Sequence, residues 1–114
     1  MEDMFELQRK FNKLIGNKIP EVLSEIFTQE NIENIKNQTL AIIDEVMEAL
    51  REIKWKPWKK TDNQFDLVSY RFELIDVFHF LINLFLLAGM TPELVMKYFF
   101  NKNRINIKRQ RDGY

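Results

Sequence analysis

Two pairs of acids carry the strongest chemical signal in the chain: Glu45-x-x-Glu48 in "DEVMEALRE" and Glu73-x-x-Asp76 in "ELIDVFHFLIN". Residues three apart share one face of a helix, so each pair can present two carboxylates together. Glu52 continues the first line by one turn. The second pair heads a run from Leu74 to Ala88 that is Leu, Ile, Phe and Val apart from Asp76, His79, Asn83 and Ala88 itself. An unpaired carboxylate in such surroundings is costly. Acids brought face to face stay ionised only when a cation sits among them. The chain has no cysteine and one histidine, so the available donors are oxygens. An all-oxygen set suits a hard divalent ion, Mg²⁺ or Mn²⁺, and Mg²⁺ is commonly shared with the phosphates of a substrate. E-x-x-E alone is common on solvated helices, whereas E-x-x-D inside a Leu- and Phe-rich helix is not, and the two together favour a metal site over a charged surface. A di-iron centre needs Glu-x-x-His on two helices. Here only Asp76-x-x-His79 comes near that spacing.

The elements that must position these acids are helices. Apolar residues recur at helical spacing in every long segment, and strand-like alternation is nowhere sustained. Leu7, Phe11, Leu14 and Ile15 predict a first helix packed through that stripe and ending near Gly16. Pro20 opens a short amphipathic segment, "PEVLSEIF". A second main helix is expected from about Asn31 or Thr39 to about Lys54, with Ile42, Val46, Ala49, Leu50 and Ile53 as its apolar stripe and Pro57 stopping it. A third starts near Gln64, carries Asp66, Ser69, Glu73, Asp76, Phe80 and Asn83 on one line, and ends at Ala88 with Gly89 as its cap. Thr91 followed by Pro92 is a good start for a fourth, which continues towards the C-terminus. The fold class is therefore all-α: an antiparallel helical bundle of four main helices in one domain, residues 1–114. The 24 residues between the acid pairs, 49–72, suit antiparallel neighbours whose acids face each other.

Composition sets the frame. Hydrophobic residues are 46% and charged residues 30%, a globular balance. Seventeen acids against seventeen bases leave no net charge, so bulk electrostatics gives no reason to expect a stable nucleic-acid partner. The longest apolar run is interrupted by polar groups and falls short of the roughly 20 residues of a membrane span. With a charged N-terminus in place of a signal peptide, the expectation is a cytoplasmic protein away from membranes. Ten Phe and one helix apolar around most of its circumference exceed what four helices readily bury, which predicts a C₂ homodimer.

Five stretches together resemble a known family: "LQRKFN", "DEVMEAL", "WKPWKK", "ELIDVFHFLIN" and "KNRINIKRQRDGY". The acid pattern resembles the all-α NTP pyrophosphatases of the MazG-like superfamily. The whole set is similar to the dimeric all-α dUTPases of bacteria, phages and trypanosomatids, and the last stretch, K-N-x-x-N-x-x-R-Q-x-x-G-Y, is its most specific part. The resemblance implies a Mg²⁺-dependent hydrolase that converts dUTP, and dUDP, to dUMP, with attack at the β-phosphorus. Glu45, Glu48, Glu73 and Asp76 would be the metal ligands, with Glu48, or else Glu45, also activating water. Gln8 and Asn12, one turn apart, carry amides that can read the edge of a uracil. Phe80 could stack on the base, against the plainer reading of a core Phe. Asn83 could contact base or sugar. His79 is either a support for a carboxylate or nucleotide, or a satisfied core histidine. Trp58, in a loop with Trp55 and four lysines, would lie at the site. Lys102, Asn103, Asn106 and Arg109 would approach phosphates and sugar. The chain ends at Tyr114, where family members commonly continue, and a partner subunit could supply the missing contacts. Three alternatives remain: a MazG-like pyrophosphatase for another nucleotide such as dCTP, a non-catalytic dimeric helical interaction module, and a small helical nucleic-acid binder using the basic C-terminal helix, which the neutral net charge and the absence of a helix-turn-helix spacing count against.

Overall fold

The computed structural model describes residues 1–53 and 65–113. These form five helices: α1 (Glu2–Leu14), α2 (Leu23–Ile26), α3 (Gln29–Glu52), α4 (Leu67–Leu87) and α5 (Pro92–Arg111). No strand occurs among the described residues, and the all-α expectation holds.

Local chemistry sets the helix ends. The Thr28 hydroxyl accepts the Asn31 N–H at 3.2 Å and starts α3 at Gln29, ahead of the expected Asn31 or Thr39. Asp66 starts α4 at Leu67, later than expected: its carboxylate accepts the Ser69 N–H at 3.0 Å and the Ser69 hydroxyl at 2.9 Å. Asp66 and Ser69 are thus tied up in a cap, and these bonds hold the Asp66 carboxyl below its usual range. Thr91 and Pro92 open α5 as the sequence predicts, with the Thr91 hydroxyl accepting the Leu94 N–H at 3.2 Å. At the far end of α4, Gly89 adopts φ +72°, and its N–H and that of Met90 return to the carbonyls of Leu86 and Phe85. Only a residue at ease in the left-handed region closes a helix this way.

The hairpin of α3 and α4 is the frame of the molecule. The two run antiparallel, because Asn31 near the start of α3 donates to the Leu87 carbonyl at the end of α4, while Gln38 meets Asn83. The α3 face turned to α4 is spaced as a heptad. Ile35, Ile42 and Ala49 form one line, and Asn31, Gln38, Glu45 and Glu52 form the other, none of the seven fully exposed. Small Ala49, 4% exposed, lets the helices approach closely beside the acids. Val46 and Ile53, expected in the core stripe, lie outward instead, since the seam runs along the other positions.

The core is small. Phe5 from α1 joins Ile82 and Leu86 from α4, with Ile19, Phe78, Phe85 and Val95 around them. The Phe5 and Phe85 rings stack at 6.3 Å. The α1 stripe of Leu7, Phe11, Leu14 and Ile15 does not enter this core: Leu7 is 66% and Leu14 81% exposed. The inward face of α1 is Phe5, Gln8 and Asn12, because α1 crosses α4 where Asn83 and His79 offer amide and imidazole partners. α5 leaves α4 at 102° and buries no residue. The described monomer is thus the α3–α4 hairpin with α1 laid across it and α5 turned away beyond Val95, which touches the core. Among the described residues no single helix is long and apolar enough to cross a membrane.

Candidate active site

The antiparallel seam brings Glu45 of α3 opposite Glu73 and Asp76 of α4. One carboxylate oxygen from each lies within 4.8 Å of the other two. Oε2 of Glu45 and Oε2 of Glu73 are buried and accept no hydrogen bond. Buried acceptors are nearly always satisfied in folded proteins, so two orphaned carboxylate oxygens on facing helices mark a place built for something else. Burial, and next the charge of Glu48, push both carboxyls above their usual range. Asp76 adds to both, a hydrogen bond that protonated Glu45 gives to the Glu48 carboxylate adds to Glu45, and Glu52 adds to Glu73. Three of the four expected ligands therefore converge directly, and Glu48 is close enough to Glu45 for its charge to act on that carboxyl. The donors are all oxygen, half-buried at Glu45 and Glu73 and exposed at Asp76, and they fit a hard divalent cation such as Mg²⁺ or Mn²⁺.

Asp76 also belongs to the wall of an adjoining pocket of about 410 Å³. Its other lining residues are Leu7, Gln8, Phe11, His79, Phe80 and Asn83. The outward stripe of α1 thus has a use: Leu7 and Phe11 are pocket wall, with half-buried Phe80. Along the base of the pocket runs a chain of side-chain hydrogen bonds. Gln8 Nε2 donates to Asn83 Oδ1 at 2.8 Å, and Asn12 Nδ2 donates to the same oxygen at 2.8 Å. Asn83 Nδ2 donates to Gln38 Oε1 at 3.0 Å. His79 Nδ1 lies 2.9 Å from Gln8 Oε1. Gln8 and Asn83 face the pocket while tied to each other; Asn12, 2% exposed, stands behind them and does not line it.

Gln38 is a member of this network that sequence reasoning did not pick out. Its signal was available, since Gln38 lies seven residues before Glu45 and on the same face. Lys102, Asn103, Asn106 and Arg109 share the second half of α5, all exposed, and the described pocket includes no α5 residue. Trp58 lies outside the described residues, as does Trp55 with its neighbouring lysines.

A family model described as dUTPase matches residues 1–91. A dCTP pyrophosphatase of Enterobacteria phage LZ5 is 29% identical over 141 aligned positions, taking in 100% of this chain and 82% of that protein. A dCTP pyrophosphatase of Enterobacteria phage T4 is 37% identical over 71 residues, 53% of this chain and 42% of the T4 protein. A DNA replication protein of the same phage is 34% identical over 67 residues, 47% of this chain and 17% of its own length. The chain thus spans less than half of the phage T4 relatives. No solved structure matches. The matched residues 1–91 hold both acid pairs, the pocket and its amide chain, and by that match the chain belongs to the dUTPase family.

Proposed function

We propose that the chain is a divalent-metal-dependent pyrophosphohydrolase of pyrimidine deoxynucleoside triphosphates, adding water to give the monophosphate and pyrophosphate. The observation that carries the reading is the cluster of Glu45, Glu73 and Asp76, with two orphaned buried oxygens, at the edge of an apolar-walled pocket. Glu45, Glu73 and Asp76 would hold the cation, with Glu48 as a further ligand. When bound, the ion would neutralise phosphate charge and make a nearby water more acidic. Glu48, beside Glu45, is the base proposed to take the water's proton. Phe80, Phe11 and Leu7 would pack against the base, and Gln8, His79 and Asn83 would meet its polar edge. The exposed Lys102, Asn103, Asn106 and Arg109 would reach phosphate and sugar from α5 of the same subunit or of a second one in a homodimer.

The base is the open choice within this reading. The family description favours dUTP, and with it dUDP, while the names of the phage relatives favour dCTP. A panel of dUTP, dUDP, dCTP and dTTP with Mg²⁺ tests both. Hydrolysis of dUTP in clear preference to dCTP supports the first and the reverse supports the second. A protein that hydrolyses none of them, and loses nothing on Glu48→Gln, is a helical interaction module and not an enzyme.

A further inference from the structure

The amide chain under the pocket has a direction, and that direction is set by a group that cannot be reversed. Asn12 Nδ2 donates to the main-chain carbonyl of Gln8 at 2.8 Å. A carbonyl only accepts, so Asn12 must keep its NH₂ on this side. The same NH₂ reaches Asn83 Oδ1, and Asn12 Oδ1 is left to accept from Asn17 Nδ2 at 3.3 Å. Asn83 is thereby oriented with Oδ1 towards α1, and its NH₂ goes to Gln38. Gln8 must present Nε2 to that same oxygen, which turns its Oε1 to His79 Nδ1. An amide oxygen accepts, so Nδ1 must carry the proton. We infer that Asn12 is a positioning residue: through Asn83 and Gln8 it fixes His79 as the Nδ1–H tautomer, so that this pocket residue presents its Nε2 lone pair as an acceptor for an N–H donor on a nucleobase edge. The inference rests on the proposed nucleotide pocket for its ligand, but the tautomer stands on the hydrogen bonds alone.

The arrangement is chemically unusual enough to be read directly. A free neutral imidazole prefers its proton on Nε2, so the Nδ1–H form reports an imposed bond. The bases this acceptor suits are those with an imino or amino hydrogen at the recognised edge, which uracil and cytosine both have. The chain has one histidine, so a ¹⁵N-labelled sample gives a single imidazole pattern. In metal-free protein at mildly alkaline pH, long-range ¹H–¹⁵N spectra should show His79 protonated at Nδ1 and bare at Nε2. Asn12→Ala should return the ring towards the Nε2–H form. It should also raise KM about tenfold for whichever of dUTP and dCTP is hydrolysed, with a smaller change in kcat, since the acids are untouched. Should Asn12→Ala fail to fold, Gln8→Met removes the acceptor at similar side-chain length and should release the ring equally. Asn83→Asp keeps an oxygen facing both donors and should retain the Nδ1–H form. A wild-type ring protonated at Nε2, or a folded Asn12→Ala or Gln8→Met protein with an unchanged ring, overturns the inference. Absence of any hydrolysis would instead sink the enzymatic reading and leave the ring measurement to decide this one.

Discussion

Glu45 and Glu73 are held in a state that their carboxyls resist. Burial and neighbouring acids raise both above the usual carboxylate value of 4.5, so the folded chain keeps protons that the unfolded chain releases. That contribution to stability is complete below the unfolded value and is lost as pH rises through the folded ones. In EDTA, the melting temperature should fall as pH rises above the unfolded value of 4.5, and Glu45→Gln should flatten the fall. A wild-type-minus-variant difference that ignores pH would contradict the raised carboxyl. Mg²⁺ at neutral pH should raise the wild-type melting temperature and do much less for Glu45→Gln. Glu48→Gln should lower kcat by about 10²–10⁴-fold, the usual worth of a positioned base, with no loss of metal-free stability, since it removes a charge that repels Glu45 and Glu73. Retained turnover would pass the role to Glu45. The acids were legible from type and spacing alone, since Glu73 and Asp76 stand out against Leu and Phe. The pairing of Gln8 and Asn12 with Asn83 was not: amides one turn apart look the same whether they bind one another or a ligand.

At the scale of helices, caps decide the boundaries, and they explain what the sequence conceals. The apolar stripe of α3 weakens towards its start, yet Thr28 caps it so that it begins at Gln29, ahead of both Asn31 and Thr39. On α1 the stripe is plain and still misleads, because Leu7 and Phe11 wall a pocket and the core side is Phe5 with two amides. Hydrophobic pattern reports where apolar groups lie, not whether their shelter is the protein or a bound base. The α4 end offers a sharp test. A Cβ at Gly89 would strike the Ile26 side chain, in a backbone conformation that L-residues resist. At Gly16, with φ +82°, a Cβ meets nothing within 4 Å. Gly16→Ala should cost about 1 kcal/mol from backbone strain, and Gly89→Ala about 2–3 kcal/mol, by urea unfolding. Equal losses would mean that α2 yields to the new methyl freely.

For the whole molecule, what remains uncovered is informative. Tyr98, Phe99 and Phe100 on α5 are 51%, 66% and 56% exposed, and Phe72 on α4 is 69% exposed. So large an exposed aromatic surface favours association with a second copy. The chain should sediment as a dimer at micromolar concentration, and Phe99→Glu should move it towards monomer. A monomeric wild type across that range would remove the homodimer from the proposal. The all-α class and the antiparallel acid-bearing hairpin were readable from period and spacing. The departure of α5 at 102° was not, because the Gly89–Thr91 connection fixes where a helix stops and the next begins, and contacts beyond the single chain can decide where it goes.

The line Asn31, Gln38, Glu45 and Glu52 along α3 has a consequence for how the hairpin finds its alignment. Apolar rungs such as Ile35 and Ile42 would tolerate a slide of α3 by one turn, since one greasy contact replaces another. The polar rungs would not. The first three differ in kind: an amide on a terminal carbonyl, an amide on an amide, an acid on two acids. A slide would set Gln38 near Phe80 or near Leu86 and leave the Leu87 carbonyl without Asn31. The side chains that ready the pocket are therefore also the marks of a ruler, and Gln38→Leu with Asn31→Leu should yield a hairpin that folds but no longer knows its one register.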